Sequence, residues 1–231
     1  MVVGSGMIAN AFLQYPVDNT VIFASGVSNS QETNPSEFDR EFDLLKQFVG
    51  SNNHLVYFGT TSVYDKTLSS TPYVKHKKLV EDYIKLNFGS YNIFRLPIVV
   101  GNTNNGSTLI KFLYTKMIQG ETVNVYMKAC RSILDVEDLV FIVGKVLDHN
   151  MFKNDILDIY LSPNVQVTDI ISTLENCLGI ESNKILLDEG SCYEIDDSKL
   201  KGFLDQIGYQ TEDNYIFKTI NKYYKKESCN Q

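Results

Sequence analysis

Met1-Val2-Val3-Gly4-Ser5-Gly6-Met7-Ile8-Ala9 is the stretch that decides how the rest of the chain is read. A short apolar start runs into two glycines spaced as G-x-G-x-x-A, and a helix is predicted over 4–12. Each position has a physical task in a dinucleotide-binding turn. Gly4 allows the tight turn, Gly6 lets the backbone approach a pyrophosphate, and the small Ala9 packs the helix onto a sheet. The first N–H groups of the helix, those of Met7 and Ile8 among them, then face the phosphates together with the helix dipole. Alone, the pattern serves a structural turn equally well. Its place directly after the first strand favours the nucleotide.

Outward from this turn, strand-like and helix-like pieces alternate, which predicts an α/β fold with a parallel sheet and helices on both faces. Strands are predicted over 21–25 (VIFAS), 55–58 (LVYF), 91–96 (YNIFRL) and 156–161. A helix opens at Asn34-Pro35-Ser36-Glu37, where Asn34 caps, Pro35 suits the first turn and Glu37 reaches back. Its apolar positions Phe38, Phe42, Leu45 and Phe48 follow at helical spacing. Further helices are predicted from Pro72, over 107–118, over 135–147 and over 167–178, the last capped by Thr168. The tail reads as helical pieces of a small lobe drawn from about 101–130 and 160–231, attached to one Rossmann-like domain. The basic end 222–226 reads as a solvated helix face.

Composition narrows the function. The 231 residues are 43% hydrophobic and 21% charged, with net charge -7. That suits a packed core and argues against a non-specific nucleic-acid binder, which needs a basic face. No apolar run is long enough to span a membrane, and the N-terminus lacks the pattern of a signal peptide, so a cytoplasmic protein is expected. Cys130, Cys177, Cys192 and Cys229 form no C-x-x-C pair and read as free thiols. His54, His76 and His149 share no metal-ligand spacing, so no metal is expected.

A second constellation lies downstream. The 55–58 strand runs into Gly59-Thr60-Thr61-Ser62-Val63-Tyr64, and Tyr73 and Lys77 follow as Y-x-x-x-K. Residues at i and i+4 share a helix face, so the phenol and ammonium are neighbours. A nearby ammonium favours phenolate and is expected to lower the Tyr73 pKa. With a strand-end hydroxyl on the substrate oxygen, the set suits proton transfer to or from a carbinol. Y-x-x-x-K also occurs on ordinary amphipathic helices. Its position after a glycine turn and a strand-end threonine is what favours chemistry.

Taken together, the glycine turn, Phe58-Gly-Thr60-Thr-Ser-Val-Tyr64, Tyr73-x-x-x-Lys77, Phe94-Arg95-Leu96-Pro97-Ile98-Val99-Val100-Gly101 and Arg131-Ser-Ile-Leu-Asp135-Val-Glu-Asp138 span most of the chain. In these segments the chain resembles the extended short-chain dehydrogenase/reductases, in particular the NAD-dependent epimerase/dehydratase group acting on nucleotide sugars. The resemblance implies Thr60, Tyr73 and Lys77 as the catalytic set. Thr60 would orient the sugar oxygen, Tyr73 would act as general acid/base, and Lys77 would tune Tyr73 and hold the nicotinamide ribose. It places Gly4, Gly6, Met7, Ile8, Ser25, Gly26, Pro97 and Val99 along an NAD or NADP cofactor, with NADPH favoured. Thr61, Ser62 and Arg131 fall on the substrate side, Arg131 against the nucleotide diphosphate. From the residues alone, Arg131 reads equally as a surface ion pair with Asp135 or Glu137. A homodimer through the helices from Pro35 and Pro72 is also implied, although core packing explains those apolar faces equally well.

The chain departs from that pattern in one respect. After the first helix it passes directly to what is the family's fourth strand, so the second and third strands flanking the adenosine are expected to be absent. The 21–25 strand ends in Ser25-Gly26-Val27-Ser28-Asn29, without the acid or arginine that reads a ribose. The loop from Thr60 to Tyr73 is also short for the group. The expected activity is reduction of a nucleotide-linked keto sugar in surface polysaccharide precursor synthesis. Epimerisation, or non-catalytic binding of a nucleotide sugar, are the alternatives.

Overall fold

The computed structural model describes residues 1–16 and 18–225. Its central sheet grows from the apolar runs, each alternating between two buried faces. The first strands and helices, in chain order, are β1 (Val2–Val3), α1 (Met7–Ala11), β2 (Thr20–Phe23), α2 (Pro35–Lys46), β3 (His54–Thr60), α3 (Pro72–Asn87), β4 (Tyr91–Leu96) and β5 (Ile98–Val100). They are followed by α4 (Leu109–Ile118), β6 (Val123–Tyr126), β7 (Cys130–Arg131), β8 (Ile133–Asp135), α5 (Val136–Asp148) and β9 (Asp155–Asp158). The chain continues through β10 (Val165–Gln166), α6 (Val167–Leu178), β11 (Lys184–Leu187), α7 (Ser198–Gln206) and α8 (Tyr215–Tyr224).

Five strands pair in the order β1-β2-β3-β4-β9, all parallel. Side chains alternate between faces with period two. Val21, Phe23, Leu55, Tyr57 and Ile93 meet Leu45 of α2 and Val80 and Ile84 of α3 on one face. Ile22, Val56, Phe58 and Phe94 meet Phe12, the apolar stripe of α5 and Leu200 and Phe203 of α7 on the other. The α/β expectation with helices on both faces therefore holds. A doubly wound dinucleotide sheet runs 3-2-1-4-5-6. Here β1 is an edge strand, and among the described residues none pairs along its outer side. The half of the sheet expected to be missing is missing.

Beyond β4 the chain builds a second core. Three small pairings, β5 with β8, β6 with β11 and β7 with β10, connect distant segments. Ile110, Leu113, Val123, Ile170, Leu174 and Ile220 fill the space between them and α4, α6 and α8.

Several local expectations change. Asn34 does cap α2, its Oδ1 accepting the Ser36 N–H at 3.2 Å, but Glu37 pairs with Arg40 instead of reaching back. Thr168 is not the cap of α6. The helix spans Val167–Leu178 as expected, so Gln166 occupies the cap position, without a side-chain bond, and the Thr168 hydroxyl donates to Gln166. The predicted helix over 4–12 shrinks to the five residues of α1 and then breaks into turns before Pro16. The predicted strand 156–161 is registered one residue earlier and stops at Asp158, where β4 ends its pairing. Lys222 is not simply solvated, because it forms ion pairs of 2.8 Å with Asp135 and with Glu137. Lys225 is exposed, and Lys226 lies outside the described residues.

The thiol expectation is also overturned. Cys130 and Cys192 are joined in a disulfide, while Cys177 is free with its thiol donating to Asn221. The segment after β11 continues alongside the chain leading into β7 in the same direction, with the Lys128 N–H donating to Glu189 and the Cys130 N–H to Ser191, and this brings the pair together across 62 positions, which sequence spacing could not reveal. Cys229 lies outside the described residues.

Candidate active site

The glycine turn is built as its residues require. Gly4 has φ +127, and a Cβ there would lie 2.5 Å from the Ala24 carbonyl oxygen, so only glycine fits where the turn crosses the end of β2. Gly6 has the opposite character: nothing lies within 4 Å of where its Cβ would be. Gly6 caps α1 without a side-chain bond, leaving the first N–H groups of the helix open to a ligand. Ile8 turns its side chain into the core, and Met7 packs toward Gly101. Both therefore offer a ligand their backbone.

The end of β2 carries Ser25 and Gly26 to the same edge. Arg40 of α2 donates to both the carbonyl and the hydroxyl oxygen of Ser25 at 3.3 Å. Strand-end sequence alone held no cation, and the missing one arrives from the next helix.

Thr60 closes β3 and is buried. Its Oγ1 accepts the Ser62 N–H at 3.1 Å and starts the 3-10 turn Thr61–Tyr64, so its own proton is free to donate. Thr61 is deeply buried and bonds the Leu96 carbonyl and the Tyr193 hydroxyl. Pro72 and the Thr71 cap start α3 so that Tyr73 falls in its first turn and Lys77 one turn later. Pro97 and Val99 line the passage from β4 to β5 and are partly exposed.

Tyr73 and Lys77 share the α3 face, with the Lys77 Nζ 6.0 Å from the Tyr73 ring centroid. The expected lowering of the Tyr73 pKa does not result. Burial raises it and outweighs the Lys77 charge and the Thr60 hydroxyl, which pull it down, while Glu41 pushes it further up. Tyr73 is thus held as the protonated phenol, a proton donor at neutral pH.

Lys77 is engaged by groups that sequence reading missed. Its ammonium donates to Glu41 Oε1 at 2.9 Å and to the Tyr57 hydroxyl at 3.1 Å. Tyr57 itself donates to Glu41 at 2.7 Å, His76 shares a 3.1 Å bond with the other oxygen, and the Val27 N–H donates to it at 2.7 Å. Burial acts most strongly on Glu41 and would raise its pKa. The Lys77 charge and the bonds from His76, Val27 and Tyr57 together overcome it and hold the carboxyl well below the usual range. A signal was present in the sequence: Glu41 is a lone acid within the apolar stripe Phe38, Phe42 and Leu45.

Arg131 sits on the other side of the site. It is partly exposed, donates to the Cys130 carbonyl at 2.7 Å, and lies 3.8 Å from Asp65. Its ion-pair partner is neither Asp135 nor Glu137. Asp135 caps α5 and is taken by Lys222 and Tyr223. Asp65 also accepts from Thr67 and Ser191, so the segment carrying Cys192 is tied to the end of β3.

No family model and no curated protein matches the chain. Solved structures do. The Bordetella bronchiseptica enzyme WbmH in complex with NAD+ is 16% identical, with TM-score 0.66, over 89% of this chain and 74% of that one. RMD from Pseudomonas aeruginosa complexed with NADPH is 15% identical, with TM-score 0.66, over 92% of this chain and 83% of that one. UDP-glucuronic acid 4-epimerase from Bacillus cereus, in complex with UDP-glucuronic acid and NAD, is 16% identical, with TM-score 0.67, over 90% and 75%. The chain has the fold of the nucleotide-sugar epimerases. It realises that epimerase-type fold with β1 at the sheet edge and with Glu41 closed upon Lys77. Among the described residues no helix is long and apolar enough to cross a membrane.

Proposed function

We propose that the chain is an NAD(P)-dependent oxidoreductase of the epimerase/dehydratase type that reduces a keto group on a nucleotide-linked sugar. The observation that carries this is the meeting of Thr60, Tyr73 and Lys77 at one end of the sheet, with Tyr73 held as a protonated phenol.

The residues present fit a nicotinamide dinucleotide. The open space beside Gly6 and the uncapped first turn of α1 suit a pyrophosphate. Arg40 at Ser25 adds a cation on that side and favours the more highly phosphorylated NADPH. Pro97, Val99 and Lys77 would hold the nicotinamide end. When bound, the reduced cofactor supplies hydride. The chain supplies the rest: the Thr60 hydroxyl donates to the ketone oxygen, and Tyr73 delivers its proton to the same oxygen as it becomes an alkoxide. The Lys77 charge then steadies the tyrosinate. Ser62 would lie on the substrate side and Arg131 would suit the diphosphate, whereas Thr61, buried and bonded to the Leu96 carbonyl and the Tyr193 hydroxyl, would support the site from behind.

Reduction is favoured over epimerisation by the bare edge of β1. An epimerase must keep its cofactor through the whole cycle, whereas a reductase must release it. Non-catalytic binding of a nucleotide sugar is the competing reading, supported by the same bare edge. Tyr73→Phe separates them. Turnover of a nucleotide keto sugar should fall about 10²- to 10⁴-fold, whereas a binding protein would keep its affinity for the sugar nucleotide and show no turnover to lose.

A further inference from the structure

Glu41 has no exposed surface, yet it is charged and lies in the middle of a helix stripe that otherwise packs apolar side chains. Four donors converge on it: Tyr57 and Lys77 on Oε1, Val27 N–H and His76 on Oε2. A carboxylate removed this completely from water persists only when its acceptors are filled. An ammonium has three donors. Glu41 takes one Lys77 donor and Tyr57 a second, which leaves one. Gly26 completes the seat, since a Cβ there would lie 2.6 Å from the Lys77 Nζ and 3.1 Å from Glu41 Oε1. The charged and titratable groups facing the ammonium are therefore Glu41 from α2, Tyr57 from β3, and Tyr73 and His76 from its own helix.

We propose that Glu41 is the positioning residue of the site: with Tyr57 it holds the Lys77 ammonium against Gly26 so that a single N–H is left for the cofactor ribose, while the charge stays beside Tyr73. What that donor serves rests on the function proposed above, whereas the holding itself does not. Glu41 touches neither cofactor nor substrate and acts through Lys77.

The test uses the full chain labelled with 15N. The Lys77 ammonium correlation is assigned by its loss in Lys77→Met, and its hydrogen exchange is measured. In the wild type it should be visible and protected. In Glu41→Gln its exchange should accelerate at least ~10-fold or the signal should vanish, with partial return in Glu41→Asp. An unchanged exchange rate in a folded Glu41→Gln protein overturns the proposal. Should Glu41→Gln not fold, Tyr57→Phe removes one acceptor and leaves the ion pair. The same acceleration is expected there, and its absence overturns the proposal equally. In parallel, Glu41→Gln should lower kcat for a nucleotide keto sugar at least ~10-fold with the sugar KM within about 2-fold, and Glu41→Asp should restore part of it. A wild type without turnover refutes the catalytic function, and the exchange measurement still decides whether Glu41 holds Lys77.

Discussion

Tyr73 and Lys77 show how burial and charge compete at one phenol. The ammonium favours phenolate, but desolvation is the larger effect and the Tyr73 pKa lies above its ordinary 10.0. The proposed reduction needs the protonated phenol, so on that proposal activity is present below that pKa and lost above it. The alkaline limb of kcat should therefore fall above pH 10, measured as a kcat–pH profile between neutrality and the onset of unfolding. Glu41 has the opposite sign. Its carboxyl is depressed from 4.5, so the stability it contributes is present above that value and is lost as pH falls toward the depressed folded-state value. Removing one member of this buried pair should cost more than removing both. Lys77→Met alone should destabilise by about 3–5 kcal/mol, while Glu41→Leu with Lys77→Met should recover most of it, by urea unfolding at neutral pH. The placement of Thr60, Tyr73 and Lys77 was legible because it follows from spacing along a strand end and one helix face. For Glu41 only its odd place in the apolar stripe of α2 was legible; its partners were not, because they come from β3, α3 and the loop after β2, and only the tertiary fold gathers them.

At the scale of elements, legibility followed the length and burial of each piece. The strands β2, β3 and β4 are dominated by buried apolar side chains, and α2 and α3 carry a proline in their first turn behind an Asn or Thr cap. These were readable. The strands of the lobe were not. β7 and β10 have two residues each, and their pairing partners lie far away in sequence, so no local pattern specifies them. The disulfide belongs to this hidden layer. It fastens the segment around Ser191 and Tyr193, which reaches Asp65 and Thr61, to β7 beside Arg131. Cross-linking a 62-residue separation restricts the unfolded chain and is worth roughly 2–4 kcal/mol. Reduction with a phosphine should lower the thermal midpoint correspondingly and expose two additional titratable thiols. An unchanged midpoint with no new thiols would show that the pair does not form in solution.

At the scale of the molecule, the chain keeps the half of a doubly wound sheet in which the proposed site lies, and among the described residues no strand pairs beyond β1. That loss was legible, since the sequence passes from the glycine turn to the VIFAS strand with only one short helix between them. The cation at the end of β2 was not legible, because Arg40 reaches Ser25 from a different element. Cofactor affinity is therefore the property on which the account depends, since Thr60, Tyr73 and Lys77 already meet at one end of the sheet. The deciding measurement is calorimetric titration of the purified protein with NADPH and with NADH, each with and without a nucleotide sugar. Saturable one-to-one binding, tighter for NADPH, is the predicted result. No binding of either cofactor at millimolar concentration, with the nucleotide sugar still bound, would contradict the account and leave a sugar-nucleotide binding protein on an enzyme fold.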